Sequence, residues 1–179
     1  MPAKVNSAFD IAFYFTNKAA RDNSYLQPQK LQSLLYLAQA YFCIAAKGQK
    51  LMPAVFVADE RGPLEPNVYM AFSNGPPNID INLKLPSEIE GFLNTIWRRF
   101  GSISTDKLIQ ITQENKAYKT AKERGHRAEI LLKDMALSLN SSEKKMGTRK
   151  DSVSNIYRTQ YGKAVTVKKW EPKAQAKGN

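Results

Sequence analysis

The segment from Pro28 to Gly48 constrains the fold of this chain more than any other part of the sequence. Its apolar side chains recur at intervals of three and four residues, which places them along one face of an α-helix. Pro28 suits the first turn of that helix because its missing N–H would have no partner there. Gly48 suits a left-handed cap after the last turn. We therefore predict a helix from Pro28 to just before Gly48, whose core face consists of Leu31, Leu34, Leu35, Ala38, Phe42 and Ala45.

Several other segments have the same helical spacing of apolar residues. A first helix is predicted after an N-cap at Asn6 or Ser7, and a short helix is predicted after the turn at Gly62-Pro63. The remaining predicted helices run from Pro86 to Gly101, from Ser104 past Ile111, from Asn115 to Arg124 and from His126 to Leu139.

The helical spacing is lost before Gly62, where Val55, Phe56 and Val57 favour an extended backbone. A chain of 179 residues is of a length typical of one domain. The sequence thus predicts a mainly α fold. It would be a compact, multi-helix single domain with a short extended segment near 53–58 and a basic C-terminal extension.

The positive charge of the chain is concentrated near its C-terminus. The whole chain carries a net charge of +11. Residues 141–179 hold ten Lys and Arg against three acidic residues, a net charge of +7, whereas residues 1–140 carry only +4. We therefore predict a helical domain at 1–140 and a basic tail at 141–179. Such a tail indicates an anionic partner, and a solvated extension without a binding role is the alternative.

The residue types that catalysis and metal binding require are scarce. The chain has one cysteine, Cys43, and one histidine, His126, which excludes an intrachain disulfide framework and a Cys-rich zinc site. No phosphate-binding glycine loop and no metalloprotease or serine-hydrolase motif occurs. We predict a protein that is not an enzyme and that has no cofactor and no metal. No apolar run reaches the roughly 18 residues of a membrane span, so we expect a cytoplasmic protein with no membrane partner.

Aromatic and cationic side chains alternate in the tail, a pattern typical of proteins that bind single-stranded nucleic acid. A nucleic-acid-binding or mobile-element accessory function is therefore one hypothesis, and a tail that contacts a protein partner is another, because aromatic residues are enriched at interfaces. The aromatic residues are Tyr157, Tyr161 and Trp170, and the cations that would contact phosphate are Arg158, Lys163, Lys168 and Lys169.

Two blocks of the sequence resemble the motifs of a known family. The run Lys30–Gln39, which reads KLQSLLYLAQ, resembles the signature KLQKLLY-x-AQ of the SocA-like Panacea domain, found in bacterial antitoxins and phage-associated proteins. The segment Ala58–Tyr69 is similar to the A-x-x-x-G-P-x-x-P-x-V-Y segment of that family. Three positions depart from the family pattern. Ser33 replaces a Lys, Asp59 stands where a Trp is common, and Arg61 replaces an aromatic residue.

The resemblance implies a helical domain without catalytic activity that neutralises a cognate protein toxin by direct binding. One branch of the family acts as an adaptor that delivers its toxin to the ClpXP protease, so a protease of that type is a further expected partner. The polar residues of the signature would either bridge helices inside the domain or face the partner. The predicted partner contacts are Gln32, Tyr36, Gln39, Arg61, Tyr69, Tyr157, Tyr161 and Trp170.

Overall fold

The computed structural model describes residues 2–77 and 85–138, together with two short strands farther along the chain. The described residues up to 138 form seven helices and three strands, which confirms the predicted mainly α, compact domain. The helices are α1 (Ala8–Arg21), α2 (Pro28–Ala45), α3 (Pro66–Phe72), α4 (Ser87–Phe100), α5 (Thr105–Gln113), α6 (Lys116–Arg124) and α7 (132–138). The strands are β1 (Phe56–Asp59), β2 (Gly62–Leu64) and β3 (Glu129–Ile130).

Helix α2 lies at the centre of this domain, because α1, α3, α4, α5 and β2 all contact it. Every residue from Leu31 to Ala40 is buried. The apolar spacing predicts one buried face, whereas the structure encloses this segment on all sides. Ala45, predicted in the core face, is exposed because it lies in the last turn, beyond the enclosed segment. The additional burial includes three polar side chains, Gln32, Ser33 and Gln39. Buried polar groups need hydrogen-bond partners, and those of Gln32 and Gln39 are described with the site below.

The ends of α2 follow the sequence-based prediction closely. Pro28 occupies the first turn, and the helix ends at Ala45. The chain then turns through Gly48, which has a φ of +94°, and the N–H of Gly48 donates to the carbonyl of Cys43 at 2.7 Å. A left-handed residue that returns a hydrogen bond to the last turn is a common helix stop. The first left-handed residue after the helix is Lys47, with a φ of +49°, so Gly48 takes part in the stop one position later than a glycine cap directly after the helix would.

Helix α1 is fixed at both ends. The side chain of Ser7 accepts a hydrogen bond from Phe9 N–H, and the Asp10 carboxylate accepts one from Ser7 N–H, which is a capping box. After the other end, the indole N–H of Trp97 in α4 donates to Asp22 at 2.9 Å. The bond from Trp97 joins the end of α1 to α4.

The three strands form a small antiparallel sheet in the order β2-β1-β3. The extended segment predicted near 53–58 corresponds to β1, which begins at Phe56. The helix predicted from His126 to Leu139 is wrong at its beginning. Glu129 and Ile130 pair with β1 as strand β3, and helix α7 begins at residue 132. The buried Ile130 therefore belongs to the sheet.

The chain divides into two compact units, residues 1–141 and 142–179. In the second unit, Asn155–Arg158 (β4) pairs antiparallel with Ala164–Val167 (β5). The composition of this basic region predicts a tail without regular structure, so the strand pair is a difference from the prediction. Among the described residues, no helix has both the length and the apolar composition that crossing a bilayer requires.

Candidate partner-binding site

A small cleft opens where the N-terminal half of α2 meets the turn between β1 and β2. Its cavity volume is ≈ 40 Å³, which is far below the roughly 300–1,000 Å³ of typical ligand pockets. It can therefore hold one small functional group but not a nucleotide. Three predicted partner contacts line it, namely Gln32, Arg61 and Tyr69. The other polar side chains of the cleft are Gln29, Ser33, Asp59 and Arg127.

The turn that carries Arg61 has a backbone conformation that depends on glycine. Glu60 and Arg61 connect two strands whose register pairs Asp59 with Gly62. Gly62 has a φ of +119°, which side chains disfavour, and a Cβ atom there would lie 3.3 Å from Oγ1 of Thr112. The close approach of α5 and the positive φ therefore both require glycine at this position.

Helices α5 and α6 hold the same turn by hydrogen bonds to its backbone. The side-chain amide of Gln113 donates to the Glu60 carbonyl at 2.9 Å. The hydroxyl of Tyr118 donates to the Asp59 carbonyl at 2.6 Å. Because both bonds come from helices packed in the core, the position of Arg61 is set by the fold.

Asp59 and Arg127 form an ion pair at one side of the cleft. The Nε of Arg127 lies 2.7 Å from Oδ2 of Asp59, and the Arg127 side chain is 56% exposed. An ion pair this exposed contributes at most about 1 kcal/mol to stability. Its importance for the site is that it brings a second guanidinium to the cleft. The two residues are 68 positions apart, and no local pattern in the sequence indicates that they meet.

Gln32 connects the two sequence blocks described above. Its Oε1 accepts a hydrogen bond from the backbone N–H of Glu65 at 2.7 Å. Glu65 is itself buried, and its carboxylate caps α3 by accepting the N–H of Val68 at 2.6 Å. Gln32 thus has an internal bridging role, and it also lines the cleft. Glu65 was not predicted as a functional residue, because Glu is uncommon as an N-cap.

Gln39 and Tyr36 lie inside the domain, away from the residues that line the cleft. Oε1 of Gln39 accepts the N–H groups of Leu51 and Met52, both at 3.1 Å. Gln39 is therefore an internal bridge, one of the two roles that the sequence left open. Tyr36 is fully buried with its ring edge-on to Phe56, so in this structure neither side chain can face a partner.

The remaining predicted contacts belong to the basic tail. Tyr157 and Arg158 lie in strand β4. Tyr161, Lys163, Lys168, Lys169 and Trp170 lie outside the described residues. Their roles in contacting protein or nucleic acid stay predictions.

Cys43 and His126, the residue types most often found in catalytic and metal sites, are not among the residues that line the cleft. Cys43 is buried in α2, as predicted, and burial raises the pKa of its thiol above the ordinary value. His126 is exposed in the turn after α6. Within the described ranges, no three His, Cys, Asp or Glu side chains are grouped so that they could hold a metal ion.

We compared the chain with protein-family models, with curated proteins and with solved structures, and none of the three comparisons found a match.

Proposed function

We propose that this chain is a cytoplasmic, non-enzymatic antitoxin-like protein that neutralises a cognate protein toxin by direct binding. The observation that carries the proposal is that the two blocks resembling SocA-like Panacea motifs converge on one cleft. Gln32 comes from the first block, whereas Arg61 and Tyr69 come from the second. Residues far apart in a sequence that meet at a surface are what a binding site for a partner would require.

The cleft suits a protein partner better than a small molecule. Its volume of ≈ 40 Å³ fits a single side-chain group, so most of the contact area would lie on the surface around it. The turn that carries Arg61 is held by Gln113 and Tyr118. A backbone that is already held loses little conformational entropy on binding, which favours affinity. Binding at this surface would mask the active surface of the toxin.

Co-expression with the product of the adjacent gene tests this proposal, because antitoxin genes normally lie beside their toxin genes. The neighbouring product should arrest growth when it is expressed alone, and this chain should relieve the arrest and co-purify with it. Arg61→Glu should weaken the complex at least tenfold, because charge reversal at an interface is repulsive. Arg98→Glu, at an exposed position in α4, is the matched control. A neighbour that is harmless alone and does not co-purify would contradict the proposal.

The proposed binding is compatible with two mechanisms, masking of the toxin and delivery to a ClpXP-type protease. The half-life of the toxin separates them. Delivery requires that the toxin is degraded faster when this chain and the protease are both present. Masking requires an unchanged half-life together with loss of toxicity.

The second candidate function is nucleic-acid binding, which the net charge of +7 in residues 141–179 favours. Replacing Arg158, Lys163, Lys168 and Lys169 by Gln should weaken binding of a single-stranded oligonucleotide. The slope of log K against log salt should fall by about 3, since each phosphate contact contributes roughly 0.7. The control is a variant in which four exposed cations of the helical domain are replaced by Gln instead. These are Lys4, Lys47, Lys50 and Lys116. No mobility shift at low salt would exclude this function.

A further inference from the structure

Two buried polar side chains of the cleft have hydrogen-bonding capacity that the protein does not use. Gln32 and Ser33 are only 4% and 3% exposed. Oε1 of Gln32 is occupied by Glu65 N–H, but its Nε2 donor has no partner among the described residues. The same is true of the Ser33 hydroxyl. Neither atom is among the fully buried atoms that lack a partner, so both donors reach the surface of the cleft that their residues line, where a ligand can accept hydrogen bonds from them.

The charges around the cleft favour an anion. Its charged side chains are Arg61, Arg127 and Asp59. Asp59 is already paired with Arg127, and no described acceptor bonds the exposed Arg61. The guanidinium of Arg61, the Gln32 amide and the Ser33 hydroxyl together supply several donors. An ionised acceptor makes stronger hydrogen bonds with such donors than a neutral one.

The size of the cleft limits the anion to a small one. A cavity of ≈ 40 Å³ accepts the end of one side chain. A carboxylate matches it because its two oxygens can accept bonds from a guanidinium and from an amide at the same time. Gln29 and Tyr69 line the same cleft and offer further polar atoms.

We propose that the cleft formed by Gln32, Ser33 and Arg61 binds the carboxylate of an acidic side chain, Asp or Glu, presented by the protein partner. This inference rests on the proposed function and gives the chemistry of the contact. Arg61 supplies the charge, and Gln32 and Ser33 supply donors in the cleft lining that select an acceptor.

The binding of small probes to the full chain tests the assignment without any toxin. The probe is glutamate blocked as an N-acetyl N-methylamide, and its glutamine counterpart is the uncharged control. Titrations followed by NMR should give saturable shifts of the Gln32 side-chain amide with the glutamate probe. The glutamine probe should bind at least tenfold more weakly, because it lacks the charge.

Variants then locate the binding. Arg61→Gln should weaken the glutamate probe at least tenfold, whereas Arg98→Gln should leave it unchanged. Ser33→Ala, a smaller change at a buried position, should weaken it two- to tenfold. Equal binding of both probes, equal effects of the two arginine variants, or tighter cleft binding of inorganic phosphate would each overturn the assignment. Such a result would leave the co-expression test of toxin neutralisation standing, so the two failures are distinguishable.

Discussion

At the scale of single residues, Gly62 is a position at which one added methyl group should disturb the cleft. Gly62→Ala should destabilise the domain by about 1–3 kcal/mol, because alanine is strained at positive φ and its Cβ would lie 3.3 Å from Thr112. Urea unfolding gives the change in the free energy of unfolding. Gly91→Ala in α4 is the control, because a Cβ there meets nothing within 4 Å. It should stabilise the helix by about 0.5–1 kcal/mol, and equal effects of the two variants would contradict this account.

Tyr36 is a residue whose polar group works against stability. Its hydroxyl is buried, and no described residue forms a hydrogen bond with it. Tyr36→Phe keeps the ring against Phe56 and should leave stability unchanged or raise it by about 1 kcal/mol. Tyr118→Phe is the matched control, because it deletes a hydroxyl that donates to Asp59, and it should cost about 1 kcal/mol. A large loss in Tyr36→Phe would show that the hydroxyl has a partner.

The same residue predicts a dependence on alkaline pH. Burial raises the pKa of Tyr36 well above its ordinary value of 10.0. Above that ordinary value the unfolded chain releases the proton and the folded chain retains it. The free energy of unfolding therefore falls as pH rises. Tyr36→Phe should lose less stability than the parent chain between pH 9 and about 11, as measured by urea unfolding at several pH values. If the stability of both chains fell equally with pH, Tyr36 would not be the source of the loss.

At the scale of elements, α3 depends on a buried N-cap. Glu65→Ala removes the carboxylate that accepts Val68 N–H and should cost about 2 kcal/mol, the upper part of the range for N-caps. Ser104→Ala is the control. Ser104 caps α5 through a longer bond of 3.4 Å at an exposed position, and its loss should cost about 0.5 kcal/mol. Thermal unfolding measures the loss of stability in both variants. A larger loss in Ser104→Ala than in Glu65→Ala would contradict the importance of the buried cap.

The elements differ in how far the sequence could predict them. The helices depend on local spacing and local caps, so the starts of α1, α5 and α6 follow from Ser7, Ser104 and Asn115. Strand β3 depends on a partner 74 positions away, Phe56 with Ile130. An apolar residue in a short segment fits a helix or a strand equally well. The pairing that decides between them is not local.

The residues of the site also fall into two groups, those that local sequence patterns predict and those that only distant contacts bring to the cleft. Arg61 directly precedes the Gly62-Pro63 turn that the sequence predicts, and Tyr69 lies in the short helix predicted after that turn. Arg127 reaches the cleft only through its ion pair with Asp59, and the cleft donors Gln32 and Ser33 lie in a helix whose apolar stripe gives no sign of full burial. The sequence could therefore predict the turn but not the cleft.

At the scale of the whole molecule, the described hydrophobic core lies entirely within residues 5–135. A chain that ends at Ser141 should therefore fold and unfold in one cooperative transition, measured by circular dichroism on heating. Its net charge should be about +4, as counted for residues 1–140. A truncated chain without a cooperative transition would contradict the division into two units.

The burial of residues 31–40 in α2 has a consequence for finding the partner. Gln32 and Ser33 of the buried segment 31–40 line the cleft, and an occupant that binds only the folded chain stabilises the whole domain. A ligand present at one hundred times its dissociation constant adds about 2.7 kcal/mol to the free energy of unfolding. The melting temperature of this domain is therefore a binding assay in itself. Candidate partners can be ranked by the rise they cause, before any toxicity has been observed.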